Sequence, residues 1–172
     1  MGALAPSKYL TPTEQQALRK TLPAMALQRD AVMIQLLLEG GMRCQEMLNI
    51  RLEDLVVDTQ SIFIKGLKGS SDRTLPFQKA LFDKVYALAV SNPNGIPFSI
   101  TYKRLQQIWY IYRPVNKKAH SLRHTFAINL YAKTKDLLLV QYALGHKNNA
   151  NTLVYAKHIT ITQSLREAML SA

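Results

Sequence analysis

The stretch from His120 to Tyr155 carries side chains that could act together on one phosphodiester. His120 and Arg123 are three residues apart, so on a helix both project from the same face. Tyr155 follows nine residues after His146, which closes a Leu-Gly-His segment. Exchange at a phosphodiester needs a nucleophile, a proton for the leaving oxygen, and cations against the charge on the nonbridging oxygens. These four side chains could supply a large part of that set.

Two cations earlier in the chain could complete such a site. Arg43 follows Gly40-Gly41 at the start of a short predicted helix, and Glu46, three residues on, could pair with it. Taken alone, that pair could equally be a surface ion pair contributing ~0–1 kcal/mol. Lys68 falls in a Gly/Ser/Asp-rich segment typical of a hairpin loop, and Lys65 is the alternative hairpin lysine. Each signal is weak by itself, and only their combination predicts a site.

The composition favours a polyanionic partner. The chain has 22 Lys and Arg against 11 Asp and Glu, a formal net charge of +11. Ribosomal and membrane-surface proteins share such a charge, so by itself it does not select DNA. A single cysteine, Cys44, excludes an internal disulfide and favours a cytoplasmic setting. The sequence has no Cys/His cluster at zinc spacing and no apolar run of the ~20 residues that a membrane span needs.

The elements that must position these residues predict an α+β domain that is predominantly helical. Thr11-Pro12-Thr13-Glu14 has an N-cap threonine, proline at the first helical position, and glutamate three residues after the cap. Strand patterns predict a small antiparallel sheet of about three strands, at 54–57, 61–65 and 74–77. Helical patterns cover 12–22, 27–40, 43–50, 79–90, 101–112, 121–132 and 135–144, and two short helices are predicted at 151–158 and 160–170.

Five separated segments occur in an order that resembles the tyrosine recombinase (phage integrase) family. They are GMRCQEM at 41–47, LKG at 67–69 with RTLP at 73–76, HSLR at 120–123, LGH at 144–146, and TLVY at 152–155. The resemblance implies an integrase-like catalytic domain over residues 1–172. It also implies a site-specific DNA recombinase that needs no metal and no energy-rich cofactor. The family's additional N-terminal core-binding domain is read as absent, so the chain is either a catalytic fragment or a short family member.

The resemblance also implies a role for each cation and for the tyrosine. Tyr155 would attack the scissile phosphate, leaving a 3′-phosphotyrosyl link and a free 5′-hydroxyl. Arg43 and Arg123 would bind the nonbridging oxygens, and Lys68 would protonate the departing 5′-oxygen. A free phenol has a pKa of about 10 and is a poor nucleophile at neutral pH, so it would need nearby cations and a proton acceptor.

Supporting roles follow for the histidines and the glutamate. His120 and His146 would donate hydrogen bonds to the phosphate or assist proton transfer from the tyrosine, and Glu46 would orient Arg43. At about 100° per residue, His124 is expected to face away from His120 and is interpreted as structural. Tyr155 follows the polar loop at 147–151, so we expect it to be less firmly held than the arginines when no DNA is bound.

The implied partner is double-stranded DNA, bound by a homo-oligomer of two to four chains. Candidate DNA contacts lie around the predicted helix at 101–112: Lys103, Arg104, Lys117 and Lys118. Residues 159–172 carry apolar side chains at helical spacing, which could dock on a neighbouring protomer or on their own domain. The expected setting is the cytoplasm, at the nucleoid, without a membrane partner. Two alternatives stay open: a type IB topoisomerase that religates the same strand, and a non-catalytic DNA-binding relative.

Overall fold

The computed structural model describes residues 4–67 and 69–170, and it confirms the predicted class, α+β and predominantly helical. Three strands form one antiparallel sheet in the order of the chain: β1 (Leu55–Val56), β2 (Ser61–Ile64) and β3 (Arg73–Pro76). The α-helices are α1 (Pro12–Thr21), α2 (Gln28–Gly40), α3 (Cys44–Leu48), α4 (Lys79–Ser91), α5 (Tyr102–Tyr112), α6 (His120–Thr134), α7 (Leu137–Leu144) and α8 (Ala150–Leu170). No helix among the described residues is both long and apolar enough to cross a membrane.

Helix α1 starts as its sequence predicts. The Thr11 hydroxyl accepts the backbone N–H of Glu14 at 3.3 Å, and the Glu14 carboxylate accepts the backbone N–H of Thr11 at 2.8 Å. This reciprocal pair satisfies two N–H groups that an uncapped helix start would leave without partners. Leu18 is the buried residue of the helix. The N-terminal segment is thereby fixed against the main core.

Helices α2 and α6 pack against each other through the centre of the domain. Helix α2 buries Ile34, Leu37 and neighbouring apolar residues, and it ends at Gly41, whose φ is 59°. A Cβ on Gly41 would lie 2.1 Å from the Phe126 ring of α6, so glycine alone fits this turn. The close approach brings the start of α3, with Arg43, next to the first turn of α6.

The hairpin loop between β2 and β3 lies against the segment that follows α7. Ile62 pairs with Leu75 and Ile64 with Arg73, so residues 65–72 connect β2 to β3. The backbone N–H of Ser71 donates to the carbonyl of Gly145 at 2.8 Å, and Ser70 forms an antiparallel bridge with His146. The loop that carries Lys68 is therefore attached to the segment that follows α7.

The C-terminal segment differs from the sequence-based expectation. One continuous helix, α8, replaces the two short helices predicted at 151–158 and 160–170. The expected break falls at Ile159, and this residue and the following Thr160 and Ile161 are β-branched, which lowers helix stability by only ~0.5 kcal/mol each relative to alanine. No glycine or proline interrupts the segment, and the Thr162 hydroxyl donates to the carbonyl of His158 across it at 2.6 Å. Residues 160–170 are exposed.

Candidate active site

Glu46 is a buried carboxylate around which the arginines gather. Its Oε1 accepts Nη1 of Arg43 at 3.1 Å, and its Oε2 accepts Nη2 of Arg73 at 2.8 Å and the backbone N–H of Arg43 at 2.9 Å. Nη1 of Arg123 lies 4.0 Å from Oε2. Burial alone would raise the pKa of Glu46, but the hydrogen bonds from Arg73 and Arg43 outweigh it and hold the pKa at about 2. The carboxylate is therefore ionised at neutral pH and ties Arg43 in place.

Arg43 is also connected to the hairpin loop. Its Nη1 donates to the Ser70 hydroxyl, which in turn donates to the carbonyl of Gly145 at 3.2 Å. About a third of the Arg43 side chain, 32%, is exposed. The guanidinium is thus held by Glu46 and by Ser70, while part of it faces solvent. A group that binds an external anion must be accessible in this way.

Arg73 also belongs to this cluster, although no role in the site was predicted for it from the sequence. Its Nε donates to the carbonyl of Ala143 at 2.7 Å and its Nη1 to that of Ser71 at 3.3 Å, and its side chain is fully buried. Alternation along β3 was the available signal, since Arg73 falls on the same inward face as Leu75. A buried arginine needs an acidic partner, and Glu46 is the buried acid on a neighbouring element.

Arg123 is fixed by two backbone carbonyls. Nη1 donates to the carbonyl of Gly41 and Nη2 to that of Leu144, both at 2.8 Å, and the residue is 3% exposed. Burial, followed by the charge of Arg43, lowers its pKa to about 10, so it stays protonated at neutral pH. The planar fork is therefore held rigidly between the end of α2 and the end of α7.

His146 lies beside these cations in a neutral state. Its Nδ1 is 2.9 Å from the hydroxyl of Thr152 on α8, and its backbone N–H donates to the carbonyl of Gln141. Burial and the charges of Arg123 and Arg43 lower its pKa to about 4. A neutral ring whose Nδ1 accepts the threonine proton leaves its Nε2–H as a donor.

Tyr155 is buried on the second turn of α8. It is 2% exposed, and its ring packs with Ala127, Val140 and Leu144. Burial raises the pKa of its phenol, against which the charge of Arg123 acts, so the hydroxyl is protonated at neutral pH. These contacts do not support the expectation that Tyr155 is less firmly held than the arginines.

The hydroxyl of Tyr155 lies 2.9 Å from Nδ1 of His124. The expectation that His124 faces away from His120 is wrong: four residues turn the helix through about 400°, which brings both rings to one face. Their ring centroids are 4.8 Å apart in an edge-to-face arrangement. The spacing of four residues was the signal that could have placed His124 in the site.

His120 lies at the open side of the site. It is exposed and lines a cleft of 290 Å³ together with Lys8, Lys118, Ser121 and His124. Partial burial, together with the charges of Arg123 and Arg43, lowers its pKa below the usual value. The cleft is basic, so it could admit an anionic ligand to the histidine pair.

The two hairpin lysines are placed differently. Lys68 lies outside the described residues, so its assignment as the general acid stays a prediction. The ammonium of Lys65 lies 3.4 Å from the Asp54 carboxylate and 3.6 Å from that of Glu53. Lys65 is therefore occupied by two carboxylates, which favours Lys68 as the lysine available to a ligand.

Three of the four candidate DNA contacts are exposed cations: Lys103 and Arg104 on α5, and Lys118 before α6. The prediction for Lys117 needs correction. Its ammonium donates to the Glu14 carboxylate at 2.6 Å and to the carbonyl of Tyr9 at 2.8 Å. Its side chain is only 11% exposed, so it connects the N-terminal segment to the loop before α6 instead of facing a ligand.

This fold and arrangement of side chains define a catalytic domain of the integrase type. The structure has the same fold as the catalytic domain of bacteriophage HP1 integrase, with a TM-score of 0.69 and 20% identity over 97% of this chain and 96% of that one. The model of the phage integrase family matches residues 8–95 and 98–160, and the chain accordingly belongs to that family.

Named relatives agree with this assignment. Tyrosine recombinase XerA of Thermococcus kodakarensis is 30% identical over 179 aligned residues, which cover 96% of this chain and 62% of the relative. Tyrosine recombinase XerC of Staphylococcus carnosus is 31% identical, with 84% and 53% covered. The XerH recombinase, solved in a post-cleavage complex with a palindromic difH substrate, is 25% identical, with a TM-score of 0.76 and 95% and 53% covered. This chain thus spans about half to three fifths of the length of these relatives.

Proposed function

We propose that this chain is the catalytic part of a site-specific tyrosine recombinase, which cuts and rejoins DNA through a covalent 3′-phosphotyrosyl intermediate. The observation that carries the proposal is the geometry at Tyr155. Its buried hydroxyl is hydrogen-bonded to His124, and the charges of Arg123 and Arg43 act against the burial that raises its pKa. Membership of the phage integrase family and the names of the relatives support the same chemistry.

In this proposal the protein supplies position and charge to a single phosphodiester. Arg123, held by two carbonyls, and Arg43, held by Glu46, bind the nonbridging oxygens and stabilise the charge that develops on them. The Nε2–H of His146 adds a neutral donor. Tyr155 attacks phosphorus, and Lys68 protonates the 5′-oxygen that leaves. Because the phosphotyrosyl bond retains the energy of the phosphodiester, a 5′-hydroxyl of a second strand can reverse the step without ATP.

The proposed substrate is double-stranded DNA in the cytoplasm, at the nucleoid. The formal charge of +11 supports a polyanion, and the cleft at His120 is flanked by Lys8 and Lys118. Lys103 and Arg104 extend the exposed basic surface along α5. Affinity that rests on such contacts should fall steeply with salt, because each neutralised phosphate releases condensed counterions.

We also propose that the protein acts as a homo-oligomer on DNA, with the end of α8 as a contact between protomers. Ile161, Leu165 and Met169 are 43%, 53% and 76% exposed, which leaves an apolar stripe uncovered. An apolar groove of 280 Å³ between β3, α6 and α7, lined by residues that include Leu130 and Leu139, could accept such a stripe from a neighbour. Leu165→Asp should leave the fold and DNA binding intact but reduce complexes that contain more than one protomer.

The decisive experiment is capture of the covalent adduct. The full chain would be mixed with duplexes of randomised sequence that carry a nick, so that cleavage releases a short strand and religation is prevented. Adducts that resist sodium dodecyl sulfate would be recovered and sequenced. We expect them from the native chain and from Tyr86→Phe, a control at a partly exposed tyrosine of α4, but not from Tyr155→Phe.

Two results would contradict the proposal: an adduct yield from Tyr155→Phe equal to that of the native chain, or no adduct from the native chain above background. The recovered sequences then supply substrate for a strand-exchange assay with two labelled duplexes. Joint products identify a recombinase. Relaxation of a supercoiled plasmid without joint products identifies a type IB topoisomerase instead, because both chemistries share the same cleavage step.

A further inference from the structure

His124 contacts the reacting atom of the proposed nucleophile, yet none of the roles described above includes it. Its Nδ1 lies 2.9 Å from the Tyr155 hydroxyl, and the two rings are tilted at 51° with centroids 5.7 Å apart. A phenol that attacks phosphorus must lose its proton. The group that receives a proton must lie within hydrogen-bonding distance of the atom that gives it up. His124 meets that condition in this structure.

His120 and His146 are placed less well for this transfer. Nδ1 of His146 is 2.9 Å from the hydroxyl of Thr152, so this ring nitrogen already has a partner other than the phenol. His120 contacts the ring of His124, edge to face at 4.8 Å, instead of the phenol. Among the described residues, His124 is therefore the histidine that is hydrogen-bonded to the Tyr155 hydroxyl.

Exposure rises in steps from the phenol to solvent. Tyr155 is 2% exposed, His124 is intermediate, and His120 is exposed in the cleft of 290 Å³. Transfer of the phenolic proton to a buried histidine would create a phenolate–imidazolium pair, and enclosing such a pair in an apolar cluster is costly. A route from the histidine to solvent reduces this cost. The two histidines on one face of α6 lie between the buried hydroxyl and the cleft.

Building on the proposed function, we infer that His124 is a catalytic residue: it takes the phenolic proton of Tyr155 during strand cleavage and returns it during rejoining. In cleavage the O–H bond of Tyr155 breaks, its electron pair forms the new bond to phosphorus, and the proton moves to Nδ1 of His124. The bond from phosphorus to the 5′-oxygen breaks, and that oxygen takes a proton from the general acid. In the reverse step the tyrosine leaves and recovers its proton from His124. His120, whose ring contacts that of His124, is exposed in the cleft.

The electrostatics of the resting state agree with a neutral histidine beside a protonated phenol. Burial, and after it the neighbouring His120 and Arg123, lower the pKa of His124 to about 4, while burial raises the pKa of the phenol. A neutral imidazole therefore accepts the hydrogen bond of a protonated phenol. Bound phosphate offsets the arginine charge and raises the pKa of the histidine. The charged and titratable groups that face His124 are His120 and Arg123 on α6, His146 after α7, Tyr155 on α8, and Lys8 of the N-terminal segment.

The test compares His124→Asn with the native chain on a duplex recovered by adduct capture. Asparagine keeps an acceptor near the position of Nδ1 but cannot take up a proton. We expect single-turnover cleavage at pH 7 to fall by about 10²–10⁴-fold, the usual contribution of a general base. The rate of the variant should rise about tenfold per pH unit toward pH 10, as hydroxide replaces the histidine. His158→Asn is the matched control on α8, since the ring of His158 packs edge to face on that of Tyr9.

A second substrate separates proton acceptor from proton donor. With sulfur in place of the bridging 5′-oxygen, the leaving group needs no proton, so a defect in Lys68→Ala should be largely suppressed. The defect of His124→Asn should persist. A His124→Asn rate within threefold of native, or a slow rate that keeps the native pH profile, would overturn the role of His124 alone. Absence of any adduct from the native chain would instead overturn the proposed function.

Nuclear magnetic resonance of the free protein gives an independent check that needs no DNA. Nδ1 of His124 should be an unprotonated acceptor near neutral pH, and its 15N resonance should move in Tyr155→Phe. A protonated Nδ1, or a resonance unchanged in that variant, would show that the hydrogen bond does not exist in solution and would overturn the inference. Thermal unfolding of His124→Asn then distinguishes a misfolded variant from an inactive one.

Discussion

Replacing Glu46 by glutamine should destabilise the protein severely, because one carboxylate serves Arg43 and Arg73 and lies 4.0 Å from Arg123. Glutamine has nearly the same shape but no charge, and its amide presents N–H groups where the guanidinium groups need an acceptor. Glu46 is 1% exposed, so water cannot take over the lost interactions. The variant leaves buried positive charge without a partner.

The magnitude follows from the pKa of the carboxyl group. Its fall from 4.5 to about 2 in the folded state corresponds to ~3 kcal/mol of stability at neutral pH. Removal of one partner of a buried ion pair costs a similar amount, roughly 3–5 kcal/mol. For a chain of 172 residues, ~3 kcal/mol should lower the melting temperature by roughly 6–12 °C.

The dependence on pH distinguishes a charge effect from a packing effect. Because the folded-state pKa lies below the ordinary value, the contribution of Glu46 is fully present above about pH 5 and is lost as the pH falls toward 2. The free-energy gap between native and Glu46→Gln, measured by urea unfolding, should therefore narrow over that range. Glu39→Gln is the control, since its partner Arg19 is half exposed and such a pair contributes ~0–1 kcal/mol. An equal loss of unfolding free energy in Glu46→Gln and Glu39→Gln would refute the reasoning. A free-energy difference between native and Glu46→Gln that stays constant with pH would also refute it.

Three further results are expected. Gly145→Ala should lower the free energy of unfolding, measured in urea, by well over the ~1–2 kcal/mol that a left-handed backbone costs, because its Cβ would lie 2.8 Å from a nitrogen of Arg73. The control is Gly69→Ala, which is also left-handed but lies in open space and should cost only ~1–2 kcal/mol. Arg123→Ala should abolish adduct formation while most DNA affinity in a gel-shift assay remains, because one phosphate contact among many is lost. His146, with a pKa of about 4, should show no change of protonation between pH 6 and 8 in a histidine NMR titration, and a midpoint within that range would contradict its burial among arginines.

Local sequence signals predicted most of the elements, because each of those signals acts over a few residues. The capping box at Thr11 and the glycine at the end of α2 mark boundaries that the structure reproduces. The break expected within 151–170 does not occur, because no local feature ends the helix there. β-Branched residues lower helix propensity only slightly. Local preference alone therefore overestimates breaks in a long helix.

The site was predicted less completely, because its contacts join residues far apart in the sequence. Arg73 meets Glu46 only because β3 and α3 approach each other in the fold. His124 reaches Tyr155 across 31 residues, through the packing of α6 against α8. Two signals were visible in the sequence: the alternation along β3 that points Arg73 inward, and the four-residue spacing of His120 and His124. Neither signal identifies the partner of the side chain.

The charges of the site explain why one buried carboxylate matters so much to it. Arg43, Arg73 and Arg123 gather around Glu46, so three positive charges meet one negative charge and the cluster carries a formal +2. Burial, and after it the charge of the neighbouring arginines, lowers the pKa of His146 and of Arg123. In the proposed function, a phosphodiester brings one negative charge to the exposed part of Arg43 and relieves the repulsion among these cations. In that proposal the arginines that bind the phosphate also repel one another in the free protein, and the negative charge of Glu46 offsets part of this repulsion.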